Sequence, residues 1–155
     1  MPKTHVYKAT GFTLLDNACP GALRSYLAAA VDIAAGDALH DDTAGKATNA
    51  TTAFAATFLG IAAAACDNSP DASKSVLVIQ PLARYQFIVP VEADALITQT
   101  AVGLIVDLES VNTVDISDVT IAAGPGLFID EIDVSTLAVA ANTYGYAIGH
   151  FQLVS

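Results

Sequence analysis

Three histidines, sixteen carboxylates and two thiols are the side chains of this chain that chemistry could use most readily. His40-Asp41-Asp42 is the tightest grouping, since an imidazole beside a carboxylate can be oriented as a general base. The residues that follow, Thr43-Ala44-Gly45-Lys46, make this stretch a polar surface turn, and an unconstrained turn is the competing reading. His5, His40 and His150 share no short spacing, whereas a zinc site ordinarily announces itself by paired ligands a few residues apart. Asp130-Glu131-Ile132-Asp133 places three carboxylates within four residues, with Asp107, Glu109, Asp115 and Asp118 upstream. A calcium loop needs its oxygens on a tight bend with a glycine, and none of these groups has that pattern. Acids that alternate along a strand form a wetted face instead.

Nucleophile signatures are missing: no Gly-x-Ser-x-Gly, Ser-x-x-Lys or His-Glu-x-x-His occurs. Gly124-Pro125-Gly126 lacks the lysine and hydroxyl residue of a phosphate-cradling loop and reads as a turn. Glycoside hydrolysis by two carboxylates is not excluded by sequence, but Trp is absent and the tyrosines are scattered. Cys19 and Cys66 stand in no metal or redox spacing and read as free thiols. The expectation is a chain without catalytic, metal-binding or cofactor-binding residues.

The elements that would position any site read as β-structure. Val31-Asp32-Ile33-Ala34-Ala35-Gly36 returns as Val119-Thr120-Ile121-Ala122-Ala123-Gly124, and each copy is followed by an aliphatic-glycine pair, Leu59-Gly60 and Ile148-Gly149. β-branched residues leading to small residues and a glycine describe a strand entering a turn. Leu27, Ala29, Val31 and Ile33 alternate with Ala28, Ala30 and Asp32, predicting one strand over Leu27–Ile33. Val76-Leu77-Val78-Ile79 predicts a buried strand stopped by Pro81, and Tyr85 to Pro90 a further one. Leu104-Ile105-Val106, Val114 to Ser117, Leu127-Phe128-Ile129 and Tyr144 to Leu153 add more. The alanine run after Phe58-Leu59-Gly60-Ile61 fits strand or short helix, and Glu92–Ala101 is the best helical segment. Cys66 to Ser75 reads as a loop. The fold class expected is all-β, mainly β with at most one or two short helices.

The 155 residues suit a single domain. Residues 1–23 predict an extended N-terminal arm, strand-compatible and closed by Cys19-Pro20-Gly21, ahead of a β-rich body over 24–155. Charge divides along the same line. Lys3, Lys8 and Arg24 against Asp16 leave the first 24 residues basic by two, while the remainder is acidic by twelve, for a net −10. An acidic body repels phosphate backbones, so direct nucleic-acid binding is not expected. The long uncharged stretch Ala47 to Cys66 is diluted by Asn49 and several threonines and is not read as a membrane span. No apolar h-region follows Met1, so no signal peptide is expected. Hydrophobic residues at 54% with only 14% charged ones call for burial against sister subunits or a larger partner.

The strand ending Ile33-Ala34-Ala35-Gly36-Asp37-Ala38-Leu39, the Thr43-Ala44-Gly45-Lys46 loop and the Phe58-Leu59-Gly60-Ile61-Ala62 return form the first part of a pattern. The later Val102-Gly103-Leu104-Ile105-Val106-Asp107-Leu108 and Asn112-Thr113-Val114-Asp115-Ile116-Ser117 complete it. Together they resemble the head decoration (cement) proteins of tailed bacteriophages, of the phage lambda type, over about residues 24–155. The chain is longer than the smallest members of that family and its leader is not strongly aromatic. The resemblance implies a β-tulip or β-barrel-like domain. It implies a homotrimer on the outer capsid surface of the virion, assembled in the host bacterial cytoplasm, that stabilises the expanded shell against internal DNA pressure. Its partner would be the major capsid protein, contacted through an arm with Thr4, His5, Val6, Tyr7, Lys8, Thr10, Phe12 and Leu14. Other readings are another virion part, such as a tail tube, fibre base or minor capsid subunit, or a sugar-binding adhesin module using Tyr85 or Tyr144.

Overall fold

The computed structural model describes residues 11–15, 23–50, 54, 57–67, 73–91, 99–120, 126–133 and 145–152. Thirteen strands run through these residues: β1 (Thr13–Leu14), β2 (Leu23–Leu27), β3 (Asp32–Ile33), β4 (Ala38–Asp41), β5 (Ala47–Asn49), β6 (Phe58–Ala62), β7 (Cys66–Asp67), β8 (Ser75–Ile79), β9 (Phe87–Pro90), β10 (Ile105–Ser110), β11 (Thr113–Thr120), β12 (Gly126–Asp133) and β13 (Tyr146–Gln152). The protein is all-β, as its sequence predicts, and a 3-10 turn spans Gln99–Ala101. The rest of the expected Glu92–Ala101 helix lies outside the described residues.

Two antiparallel sheets carry the architecture. One has the order β1-β9-β13-β12-β10-β11 and the other β2-β8-β6-β4-β5, while β3 and β7 form a separate ribbon. Each large sheet curls back on itself through one parallel bridge. Ala28, just past β2, bridges Ala47 at the opposite edge, and Val91, just past β9, bridges Val114 of the far-edge strand β11. Curling of this kind follows from the right-handed twist of strands.

The side chains sort by the alternation of a pleated strand. Phe87 and Val89 face the main core with Val106, Leu108, Leu127, Ile129, Ala147 and Phe151, while Ile88 points the other way to Tyr146 and Ile148. Both faces of β9 are therefore buried. In the second sheet Ile61 and Ile79 join the main core, whereas Val76, Val78, Ala62 and Leu39 form a second cluster with Ala28, Ala47 and Cys66. Direct bonds tie the sheets together: the Ala38 amide donates to the Val111 carbonyl at 2.8 Å, and the Phe54 amide to Asp107 Oδ1 at 2.7 Å.

Several expectations need correction. Leu27–Ile33 is not one strand. The chain bends at Ala30 and Val31, Ala29 donates its amide to Ala47, and the segment passes from the five-stranded sheet to the β3–β7 ribbon. Leu27 is exposed and Ala28 fully buried, so Ala28 is on the inward side. The reason is the bridge to β5, which fits a residue as small as alanine on either side. Val76–Ile79 is not buried throughout, since Leu77 points outward. Cys66–Asp67, expected in a loop, pairs with Asp32–Ile33.

The boundary between arm and body also moves. Thr13 and Leu14 pair with Ile88 and Phe87 at the edge of the six-stranded sheet, and the Leu15 amide donates to the Gln86 carbonyl at 2.9 Å. Phe12 is buried at 3% exposure. Residues 12–15 thus belong to the body, because an aromatic ring with a cavity to fill gains more from burial than from solvent.

Candidate functional site

The Asp41–Lys46 turn is held by its own carboxylates. Asp41 Oδ1 accepts from the amides of Thr43 and Gly45 at 3.1 and 3.0 Å, and Asp42 Oδ1 from those of Ala44 and Lys46 at 2.9 and 3.0 Å. Thr43 and Gly45 adopt left-handed backbone, at φ 72° and 80°. These amide bonds hold the Asp42 carboxyl below its ordinary pKa of 3.8, aided by the Lys46 charge. The turn is ordered, against the expectation of an unconstrained one. The described contact of His40 Nδ1 is with Thr57 Oγ1 at 3.5 Å, not with either aspartate. The general-base arrangement that the His40-Asp41-Asp42 spacing offered is therefore not formed.

A different imidazole does meet a carboxylate. His150 Nδ1 lies 2.9 Å from Asp130 Oδ2, and Gln86 Nε2 donates to the same oxygen at 3.1 Å. The Phe128 ring packs on the His150 ring at 5.1 Å between centroids. Strand pairing builds this cluster: Phe128 stands opposite His150, and a register shift between Ile129 and Glu131 leaves Asp130 as the extra residue of a bulge. Its members lie 20 and 44 residues apart in sequence, so no local motif signals it. Among the described residues no three His, Cys, Asp or Glu side chains come together in a way that could hold a metal ion. The cluster orients an imidazole and fixes the bulge.

Among the described residues Asp37 is a buried acid, at 4% exposure. Burial pushes its carboxyl above the ordinary 3.8, partly offset by the Ala34 amide, which donates to Asp37 Oδ2 at 2.8 Å. It closes a corner in which the Gly36 amide donates to Ala62 and the Gly36 carbonyl accepts from Phe12. Its role is to hold a turn.

The described surface has one further feature. Leu23, Leu27 and Leu77 are 43%, 42% and 41% exposed. Cross-strand register places Ser25 opposite Leu77, with Leu23 and Leu27 two residues to either side, so all three leucines share one face. Three large aliphatic side chains together in water mark a contact surface more often than chance placement would. Sequence reasoning misses them because Leu77 falls in a run read as buried, and the Leu27–Ile33 alternation does not say which of its faces is inward.

Of the arm residues, Thr4, His5, Val6, Tyr7, Lys8 and Thr10 lie outside the described residues. Phe12 and Leu14 are placed in the body, Phe12 within the main core and Leu14 packed against it. Phe12 is not available to a coat subunit. Cys66 is a free thiol buried in the second cluster, and Cys19 lies outside the described residues. No helix among the described residues is long and apolar enough to cross a membrane. No family model, curated protein or solved structure matches this chain.

Proposed function

We propose that this chain is a structural protein of a tailed-phage head, a decoration protein that attaches to the outside of the expanded shell and stabilises it. The reading includes attachment to the major capsid protein, a trimeric state at threefold sites, and no enzymatic activity. The observation that carries it is the exposed leucine face of β2 and β8 on a chain with few charges to shield it. Such a face favours work done by contact area and shape. The all-β body supports the same reading, as does the route of the N-terminal segment, which enters the body at the edge of the six-stranded sheet. The residues ahead of Gly11 are strand-compatible in sequence, and a segment of that kind can add to a neighbour's sheet.

Immunogold electron microscopy tests the proposal, using antibody against the purified chain on phage heads before and after expansion. Regular labelling of the outside of expanded heads is expected, with little on unexpanded ones. A chain found free of particles, or equally on both head forms, overturns it. Mass measurement of the purified chain tests the trimer separately.

A further inference from the structure

The five-residue strand β2 reads Leu23-Arg24-Ser25-Tyr26-Leu27, with a leucine at each end and a serine at its centre. It pairs with β8 over five consecutive residues without a bulge. The Ala28 amide donates to Lys74 on the β8 side, and the Ala29 amide to Ala47 on the other. By the alternation of a strand, Ser25 and its odd-numbered neighbours direct their backbone groups away from β8. Among the described residues no strand lies beyond them until Ala28 meets β5. Natural edge strands are ordinarily guarded by proline, a bulge or an inward charge. β2 has no proline and no bulge, and its one charge, Arg24, stands opposite Val78 on the face toward the second cluster.

We propose that β2 is an interface between two copies of this chain, whose β2 edges pair antiparallel about a two-fold axis at Ser25. Such an axis sets Leu23 opposite the partner's Leu27 and Ser25 opposite the partner's Ser25. It also sets Arg24 opposite the partner's Tyr26 on the other face. A two-fold contact requires a patch complementary to itself, and this strand supplies it: apolar pairs on one face, and on the other a guanidinium able to lie over a tyrosine ring. Leu77, in the next strand, widens the apolar face on both sides. Charge selects the same edge. The chain carries a net −10, so two copies repel over most of their surface, yet the single charged side chain in β2 and β8 is Arg24. The contact draws on the same leucine face as the capsid reading, but its test uses the purified chain alone and does not depend on that reading. If trimers form, it joins them in pairs; if they do not, it gives dimers.

Disulfide trapping tests it in a Cys19→Ser background. Residues exchanging both backbone bonds in an antiparallel pair sit about 5.5 Å apart between Cα atoms, inside the roughly 4.4–6.8 Å span of a disulfide. Ser25→Cys is therefore expected to give a covalent dimer as the main band on a non-reducing gel under mild oxidation. Leu77→Cys is equally exposed, but three strand spacings separate the two copies there, about 14 Å. It should stay monomeric on the gel. As a third arm, Ser25→Pro removes only an outward amide, which an edge strand tolerates. It should keep the native circular dichroism while the twofold-larger species disappears from light scattering. Failure of Ser25→Cys to cross-link, cross-linking of Leu77→Cys to the same extent, or unchanged mass for folded Ser25→Pro each overturns the proposal.

Discussion

The rings of Phe12 and Phe151 lie 5.6 Å apart between centroids, so the entering segment and the last described strand meet inside the main core. Phe54 stands 6.1 Å from Phe12 and 5.3 Å from Phe151, and Phe58 and Phe87 each contact Phe151. Aromatic clusters of this kind join segments distant in sequence. Phe12→Ala empties part of the cluster and should cost about 3–5 kcal/mol. Denaturant unfolding monitored by circular dichroism checks this, and a loss under about 1 kcal/mol would show that Phe12 is not a core residue.

How much of this could be read from sequence divides along a physical line. β8, β9, β10 and β13 were legible because β-branched and aromatic runs end at prolines, glycines or polar turns. The placement of Phe12 was not, since nothing in Gly11-Phe12-Thr13 distinguishes an arm from a strand whose partner lies more than seventy residues on. The break after Leu27 was equally hidden. Alanines at 28 to 30 fit either face of a strand, and only the bridge to Ala47 selects Ala28 for burial. The His150–Asp130–Gln86 cluster depends on strand pairing and a bulge, neither of which periodicity encodes.

The recurring aliphatic-glycine pairs have a structural meaning that their repetition alone did not disclose. A Cβ on Gly60 would fall on the Ile79 carbonyl oxygen, and one on Gly149 on that of Phe128. Gly60 also has φ 141°, a backbone that side chains disfavour. Gly60→Ala and Gly149→Ala should each destabilise by about 3 kcal/mol or more, because the obstacle is backbone and cannot rotate aside. Gly45→Ala, with open space but φ 80°, should lose only about 1–2 kcal/mol. Thermal melts of the three variants check the ranking, and equal losses would contradict it.

Two aspartates should titrate on opposite sides of the ordinary value. Asp42 is held down by backbone amides and Asp37 pushed up by burial, so carboxyl NMR should find Asp42 below 3.8 and Asp37 above it. The consequences for stability have opposite signs. The Asp42 contribution is present above pH 3.8 and lost as pH falls through its lower folded value. For Asp37 the folded state holds its proton more tightly than the unfolded state, so stability declines as pH rises from 3.8 to the folded value. Asp37→Asn keeps an oxygen for the Ala34 amide and cannot ionise. Its stability relative to the parent should rise over that window and level off above it, measured by urea unfolding at successive pH values. A difference independent of pH would refute the assignment.

Asp130 holds two donors at once, and Asp130→Ala leaves His150 Nδ1 and Gln86 Nε2 without that oxygen. Both donors border solvent, with His150 at 28% exposure, so water can replace the lost acceptor. The expected cost is about 1 kcal/mol. The sharper readout is the His150 ring signal, which should lose its fixed orientation against Phe128, seen as a weakened nuclear Overhauser effect between the rings. An unchanged ring contact would mean that Phe128 alone orients the imidazole.

Placing Phe12–Leu15 in the body splits what a single N-terminal truncation would confound. Removing residues 2–14 deletes the Phe12 ring and both residues of β1, exposing the Phe87 edge of β9. Such a variant should unfold at a lower temperature, and failure to attach to heads would then say nothing about an arm. Removing residues 2–10 spares every described contact of Gly11 to Leu15. This shorter deletion should melt as the parent does and yet fail to sediment with expanded heads, since Thr4, His5, Val6, Tyr7, Lys8 and Thr10 are gone. Full occupancy on heads without residues 2–10 would remove the arm from the capsid proposal and leave the leucine face of β2 and β8 as its remaining contact.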